Sequence, residues 1–423
     1  MDAFRIRGGR PLAGRITVSG AKNSALKLVA AALLAEGRSV ISNVPAIADM
    51  SAMARILEDL GATVDIDGDA YSIDVPSDIG CEPSADLARR LRASIVVLGP
   101  LLARCSRARV ALPGGCDLGS RSIDLHLAGL AKMGADIAYA GDAVELRAPT
   151  GLRGAVIELP FASVGATENI LMAAATAAGE TRISNAAREP EIADLAAFLM
   201  AMGAEISGAG TSELVIRGVD ALRPAAHAVL PDRIEAGTYA VAAVLTGGDV
   251  RLERIIPDHL RLVLDKLRAA GAEIDEEDPG AITVRGHGRL RAIDVVTLPY
   301  PGVPTDMQPQ FLVLLTQASG TSMVTENVFD GRFSVIPELV RLGADVAVEG
   351  HHAIVRGGSP LHGATVRATD LRAGAALVLA GLVADGETVV TDPHHVDRGY
   401  SDFVGRLHGL GADVERAAVV GAA

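Results

Sequence analysis

The chain has 423 residues, 49% of them apolar, and its 39 Lys and Arg against 52 Asp and Glu leave a formal net charge of -13, which disfavours a surface for polyanions. Aromatics are 3% with no Trp, so the stacking platforms that single-stranded nucleic acid needs are missing and no nucleic-acid partner is expected. The three cysteines, Cys81, Cys105 and Cys116, have no CxxC spacing, residues 1–14 lack the apolar core of a signal peptide, and no apolar run approaches the ~18 residues that span a bilayer, so a cytoplasmic protein without membrane, disulfide framework or zinc is expected.

The first predicted helix, 25–34, is apolar all round and belongs in a core. A second helix follows with Met53, Ile56, Leu57 and Leu60 on one face, stops at Gly61-Ala62, and gives way to a strand at 62–66 whose alternation reads as half-buried. Asp67-Gly68 then marks a hairpin. The same order recurs along the chain. Apolar first helices are predicted at 93–102, 170–178, 239–245, 311–315 and 373–383, and the second helices stop at Gly134, Gly203, Gly271, Gly343 and Gly411, each followed by Ala. The six stops are 68 to 73 residues apart, and in five copies another glycine (Gly37, Gly179, Gly247, Gly320, Gly386) precedes them by 23 to 25 residues. Only the second copy lacks it, and there strand 109–112 runs into a Gly-rich loop bearing Cys116.

Such a period means one supersecondary unit repeated six times. The length exceeds what one core serves, so the units divide as three plus three, with helices central and sheets outside. Segments 20–22 and 230–233 are the expected connections, giving one discontinuous domain of 1–21 plus 232–423 and another of 22–231.

Aligned copies place the unusual residues at two positions. First-helix starts carry Lys22 with Asn23, Arg92, Ser163 with Gly165, Arg233, Asp306 and Arg372; the loops before second helices carry Cys116 with Arg121, Arg188, Asp258, Arg332 and Arg398. A cation at a helix start opposes the dipole at a cost of roughly 0.3 to 1 kcal/mol, so repeated cations there suggest a phosphate or carboxylate ligand. Cys81 and Cys105 read as small buried hydrophobes, whereas Cys116, among glycines and near Arg121, is placed for proton transfer or covalent chemistry. Asp306 reads equally as an N-cap or as a general base. His394 and His395, taken as neighbours in a strand, would point to opposite faces and make a poor metal pair. None of GxxxxGK[ST], strand-borne GxGxxG, HExxH or GxSxG occurs.

Eight segments in order, SGAKNS (19–24), LRAS (91–94), PGGCDLGSR (113–121), SVGAT (163–167), NAAREPEI (185–192), PTDM (304–307), TDLR (369–372) and HVDRGY (395–400), make the chain resemble the enolpyruvyl transferases, in particular the branch that modifies a nucleotide sugar for peptidoglycan synthesis. The resemblance implies a two-domain inside-out α/β barrel of six βαβαββ repeats, three per domain, with the active site in the cleft between. It also implies transfer of the enolpyruvyl group of phosphoenolpyruvate to the 3'-hydroxyl of UDP-N-acetylglucosamine by addition and elimination, without metal or organic cofactor. On the same ground Cys116 is the acid that protonates the methylene carbon and Asp306 the base. Lys22, Arg121 and Arg398 would bind phosphoenolpyruvate with Arg92 and Arg372 close by, Lys22 and Arg398 counting also as catalytic. Asn23, Asp124, Leu125, Ser163, Val164, Gly165, Val328, Arg332 and Asp370 match other substrate-binding positions. Phe161 stands where some relatives place a lysine near the nucleotide. The alternatives are the sister enzyme acting on shikimate 3-phosphate, in which the cysteine loop would have no role, a paralogue that binds the nucleotide sugar without turnover, and a scaffolding ring of the DNA-clamp kind, which the apolar first helices disfavour.

Overall fold

The computed structural model describes residues 2–112, 123–276 and 278–418. These form two units: a continuous one of residues 20–112 and 123–230, and a split one that joins 2–19 to 231–418. Each has its own apolar core.

The third repeat shows the plan most plainly. Strand Val156–Glu158, helix Val164–Ala174 and strand Glu180–Ser184 make a parallel crossover; helix Pro190–Ala201 then leads into the hairpin Glu205–Ser207 and Glu213–Arg217. The hairpin's second strand returns beside Glu180–Ser184, so the sheet order is first, second, fourth, third. Parallel neighbours need a crossover, and an apolar helix supplies one while burying itself against the sheet. Four other four-stranded sheets have the same order, and the second repeat shows three strands among the described residues.

The repeats are not contiguous in sequence. Ala226–Ala228 completes the first by pairing parallel to Gly37–Ser42, and Ala13–Thr17 completes the fourth beside Asp249–Glu253. The sixth takes the amino-terminal strand Asp2–Arg7, which lies between Glu387–Thr391 and Asp413–Ala418.

The first helices, among them Lys22–Ala31, Arg233–Thr246, Gln308–Thr316 and Leu371–Gly381, are buried on nearly every side, so in each unit helices form the interior and sheets the outside. In the second repeat this helix opens as a 3-10 segment, Arg92–Val97, before continuing as Leu98–Cys105.

All six Gly-Ala stops adopt one geometry. The glycines have φ between 95° and 114°, a region that costs a residue with a side chain about 1 kcal/mol or more. In every copy the alanine N–H donates to the carbonyl of a leucine five residues back (Leu57, Leu130, Leu199, Leu267, Leu339, Leu407), which is the Schellman closure, and each of these leucines is fully buried. The glycine absent from the second copy has a substitute: Ser106 takes the left-handed conformation, φ 53°, at the end of helix Leu98–Cys105.

Three expectations are corrected. Strands Thr63–Asp67 and Asp345–Glu349 are not half-buried; each is the edge strand of its sheet, only Val64 and Val346 are partly covered, and Ile66 and Val348 are 54% and 48% exposed. His394 and His395 are not in a strand, because Pro393 opens a short helix, His394–Asp397, that puts their rings 4.2 Å apart. Cys81 and Cys105 are half-buried rather than buried, and burial pushes the Cys105 thiol up.

Candidate active site

In the split unit, three repeats contribute to one cluster. Asp306 lies in the 3-10 turn Thr305–Met307 that opens helix Gln308–Thr316. It is not an N-cap, since Pro304 holds that position and no side chain caps the turn. Its carboxylate instead accepts from two guanidiniums: Arg332 Nη2 donates to Oδ1 at 2.7 Å, and Arg372 donates to Oδ2 through Nη2 at 3.0 Å and Nε at 3.2 Å. Both arginine side chains are 2% exposed against 23% for Asp306. A buried guanidinium is costly unless paired, so the shared carboxylate holds both in place while keeping its own access to solvent.

Each arginine is positioned locally. Arg332 belongs to the 3-10 segment Asp330–Val335, with its guanidinium 5.5 Å from the centre of the Phe329 ring. Arg372 is the second residue of Leu371–Gly381, whose N-cap Asp370 accepts the N–H groups of Arg372 and Ala373 at 2.8 and 3.1 Å. Asp370 also lies 3.8 Å from Arg332. The Arg372 guanidinium sits over the Tyr400 ring at 5.2 Å, and its buried Nη1 makes no hydrogen bond. Burial pushes the Tyr400 phenol up, so it stays neutral while its hydroxyl meets Thr238 at 2.9 Å. Arg398, half-buried, ends helix His394–Asp397 two residues before Tyr400. Val328 is half-buried just ahead of the Arg332 segment.

The continuous unit holds a second cluster. Lys22, the first residue of helix Lys22–Ala31, is buried and ion-paired with Asp49 at 2.8 Å, both side chains 7% exposed. Asn23 follows it, and its carbonyl accepts from Lys27 at 2.7 Å. The start of helix Val164–Ala174 is capped by Ser163, whose hydroxyl accepts the Ala166 N–H at 3.3 Å. Val164 and Gly165 form its half-buried first turn. A side chain at Gly165 would come within 3.0 Å of the His126 ring. Burial, then the neighbouring Arg92 charge, lowers His126 to about 4, so it is neutral at pH 7 and its Nδ1 accepts from the Asn169 amide at 2.8 Å. Arg92 opens its 3-10 segment, and Asp124 and Leu125 open helix Asp124–Lys132 beside His126. Cys116 and Arg121 lie outside the described residues.

Several residues of these clusters escape sequence reasoning. Asp49, Glu168 and Asp194 lie inside helices where an acid reads as a solvated face; yet Asp194 accepts from Ser24 Oγ and meets His227 Nε2 at 2.8 Å. Only Ser24, inside SGAKNS, offered a signal.

A family model described as EPSP synthase (3-phosphoshikimate 1-carboxyvinyltransferase) matches residues 6–407. The chain belongs to this family of enolpyruvyl transferases. Within the family it is 54% identical to the UDP-N-acetylglucosamine 1-carboxyvinyltransferase of Gluconacetobacter diazotrophicus, over 98% of this chain and 99% of that one. It is 52% identical to the protein of the same name from Mycobacterium bovis, over 98% and 99%. Among solved structures, the enolpyruvyl transferase NikO from Streptomyces tendae is similar with a TM-score of 0.90 and 30% identity, covering 99% of both chains. An EPSP synthase from Acinetobacter baumannii has the same fold at a TM-score of 0.75 and 21% identity, covering 99% of this chain and all of the other. The six-repeat α/β architecture is therefore that of the enolpyruvyl transferases.

Proposed function

We propose that this enolpyruvyl transferase moves the enolpyruvyl group of phosphoenolpyruvate to the 3'-hydroxyl of UDP-N-acetylglucosamine, releasing phosphate, as the committing step of peptidoglycan synthesis in the cytoplasm. The names of relatives 51 to 54% identical over 98% of the chain support the acceptor. The observation that carries the chemistry is the solvent-reaching Asp306 carboxylate between two buried guanidiniums. It can take the hydroxyl proton as the sugar oxygen bonds to C2 of phosphoenolpyruvate, while Cys116 gives a proton to the methylene carbon. Loss of phosphate from the tetrahedral adduct, with return of a methyl proton to the protein, leaves the enol ether. Acid and base assistance are each worth ~10² to 10⁴ in rate.

In this reading Lys22, Arg92, Arg121, Arg372 and Arg398 balance the carboxylate and phosphate of phosphoenolpyruvate. Arg332, Asp370 and Val328 order the Asp306 side, and Asn23, Asp124, Leu125, Ser163, Val164 and Gly165 serve the nucleotide sugar. The two domains are 1–21 plus 232–423 and 22–231, a division supported by the two compact units, which change over after Ser19 and after Leu230. Among the described residues no helix is long and apolar enough to cross a membrane; in this reading the partners are the two small-molecule substrates.

Phosphate release measured with each acceptor in turn tests the proposal: turnover is expected with UDP-N-acetylglucosamine, and turnover only with shikimate 3-phosphate overturns it. Binding of the nucleotide sugar without release by the intact chain would instead support the non-catalytic paralogue. Cys116→Ser should cripple turnover yet leave nucleotide-sugar binding near normal; undiminished steady-state activity would reject the acid role.

A further inference from the structure

Glu326, which follows strand Thr321–Thr325, carries a carboxylate that is 2% exposed and fully employed. Its Oε1 accepts from Thr297 Oγ1 at 2.8 Å and from the N–H groups of Val328 and Phe329 at 2.8 and 3.1 Å, and its Oε2 accepts from Thr305 Oγ1 at 2.9 Å. Thr305 has a single hydroxyl proton. Because that proton goes to Glu326, the hydroxyl oxygen is turned to accept from Arg332 Nε at 3.2 Å, and Arg332 in turn donates to Asp306 at 2.7 Å. One carboxylate thus ties down the turn that bears Asp306, through Thr305, and the approach to the segment that bears Arg332, through Val328 and Phe329.

We propose that Glu326 is a positioning residue for Asp306, acting through Thr305 and Arg332 to hold the base and its guanidinium partner in register. The inference rests on the reading of Asp306 as the base. The charged and titratable groups facing this chain of contacts are Arg332, Arg372 and Asp370 around Asp306, and His352, whose Nδ1 meets the Thr325 hydroxyl at 2.9 Å beside Glu326. With Glu326→Gln, Oε1 can keep its three donors, but Nε2 faces Thr305. That hydroxyl must then accept from both the amide and Arg332, and its own proton loses its acceptor. Arg332 relaxes away from Asp306, and a carboxylate that loses a neighbouring cation protonates more readily.

In the intact enzyme, Glu326→Gln and Thr305→Val are each expected to lower kcat by ~10- to 10²-fold, the scale of a small misplacement of a catalytic group. The KM for phosphoenolpyruvate should change little, and the acid limb of the kcat–pH profile should move to higher pH. The double variant should be no worse than the worse single one, because both break one chain of contacts. A folded Glu326→Gln enzyme with unchanged kcat, or with reduced kcat but an unmoved acid limb, overturns the proposal. If Glu326→Gln does not fold, an unmoved limb in Thr305→Val does so instead. Asp306→Asn in parallel separates the two readings: an active Asp306→Asn enzyme sinks the base assignment, whereas a dead one beside an unaffected Glu326→Gln sinks only the positioning role.

Discussion

Two buried glutamates, one in each unit, solve the same problem differently. Glu326 in the split unit is 2% exposed and accepts four hydrogen bonds. Glu168 in the continuous unit is 1% exposed, lies 3.5 Å from Lys27, and neither of its oxygens makes a hydrogen bond. Burial raises Glu168 to about 7, against the opposing pull of Lys27. Depth is nearly equal, and what differs is the supply of donors: four for Glu326 and none for Glu168, whose charged form burial therefore disfavours.

The largest expected effect comes from removing the poorly served member. A carboxyl whose folded pKa lies above its unfolded value near 4.5 binds more protons in the native state, so it reduces stability progressively from pH 4.5 to about 7 and fully above that. Glu168→Gln mimics the neutral acid and should stabilise the protein at pH 8 by up to about 3 kcal/mol. Near pH 4.5 it should do almost nothing. Urea denaturation of both proteins at the two pH values measures this, and equal differences at both would break the contrast.

The well-served member should respond the other way. Thr297→Val removes one donor from Glu326 and should cost about 1.5 kcal/mol in urea denaturation at pH 8, since a lost hydrogen bond to a charged group carries a penalty of that order. A Thr297→Val protein as stable as its parent would mean that Glu326 does not depend on this donor. The smallest effect concerns an exposed charge instead of a buried one. Phe161 is 41% exposed before the Ser163 cap, and Phe161→Lys should change the KM for the nucleotide sugar by less than ~5-fold, because solvated pairs contribute at most about 1 kcal/mol. A larger change would show that this side of the continuous unit is as desolvated as the Glu326 network.

The six-fold plan was legible because a helix that ends with a left-handed residue almost demands glycine, and Gly61, Gly134, Gly203, Gly271, Gly343 and Gly411 all sit there. Where another residue met the same demand, as Ser106 does, the period fell silent. Asp306, Arg332 and Arg372 were visible as repeat-equivalent oddities, and the fold brings them together. Glu326 was not, since a glutamate after a strand looks like a solvated charge until its four donors, drawn from three separated stretches of chain, are seen. The edge strands misled because alternation records which residues could face a core but not whether anything covers them. The histidine pair misled because Pro393 opens a helix there, and in a helix adjacent rings need not face opposite ways.

The placement of Asp2–Arg7 in the middle of its sheet sets an order of events at the ribosome. Its partners are about as far away as the chain permits: Arg5 pairs with Val389 and with Glu415. At roughly 5 to 20 residues per second, strand Asp2–Arg7 emerges tens of seconds before the strands that flank it, and the continuous unit can close its core in that interval. Through that interval strand Asp2–Arg7 has neither of its neighbours, and unpaired strand edges are open to wrong pairing. Truncation before Asp413 would strip one neighbour from Asp2–Arg7 while leaving the continuous unit with its own core.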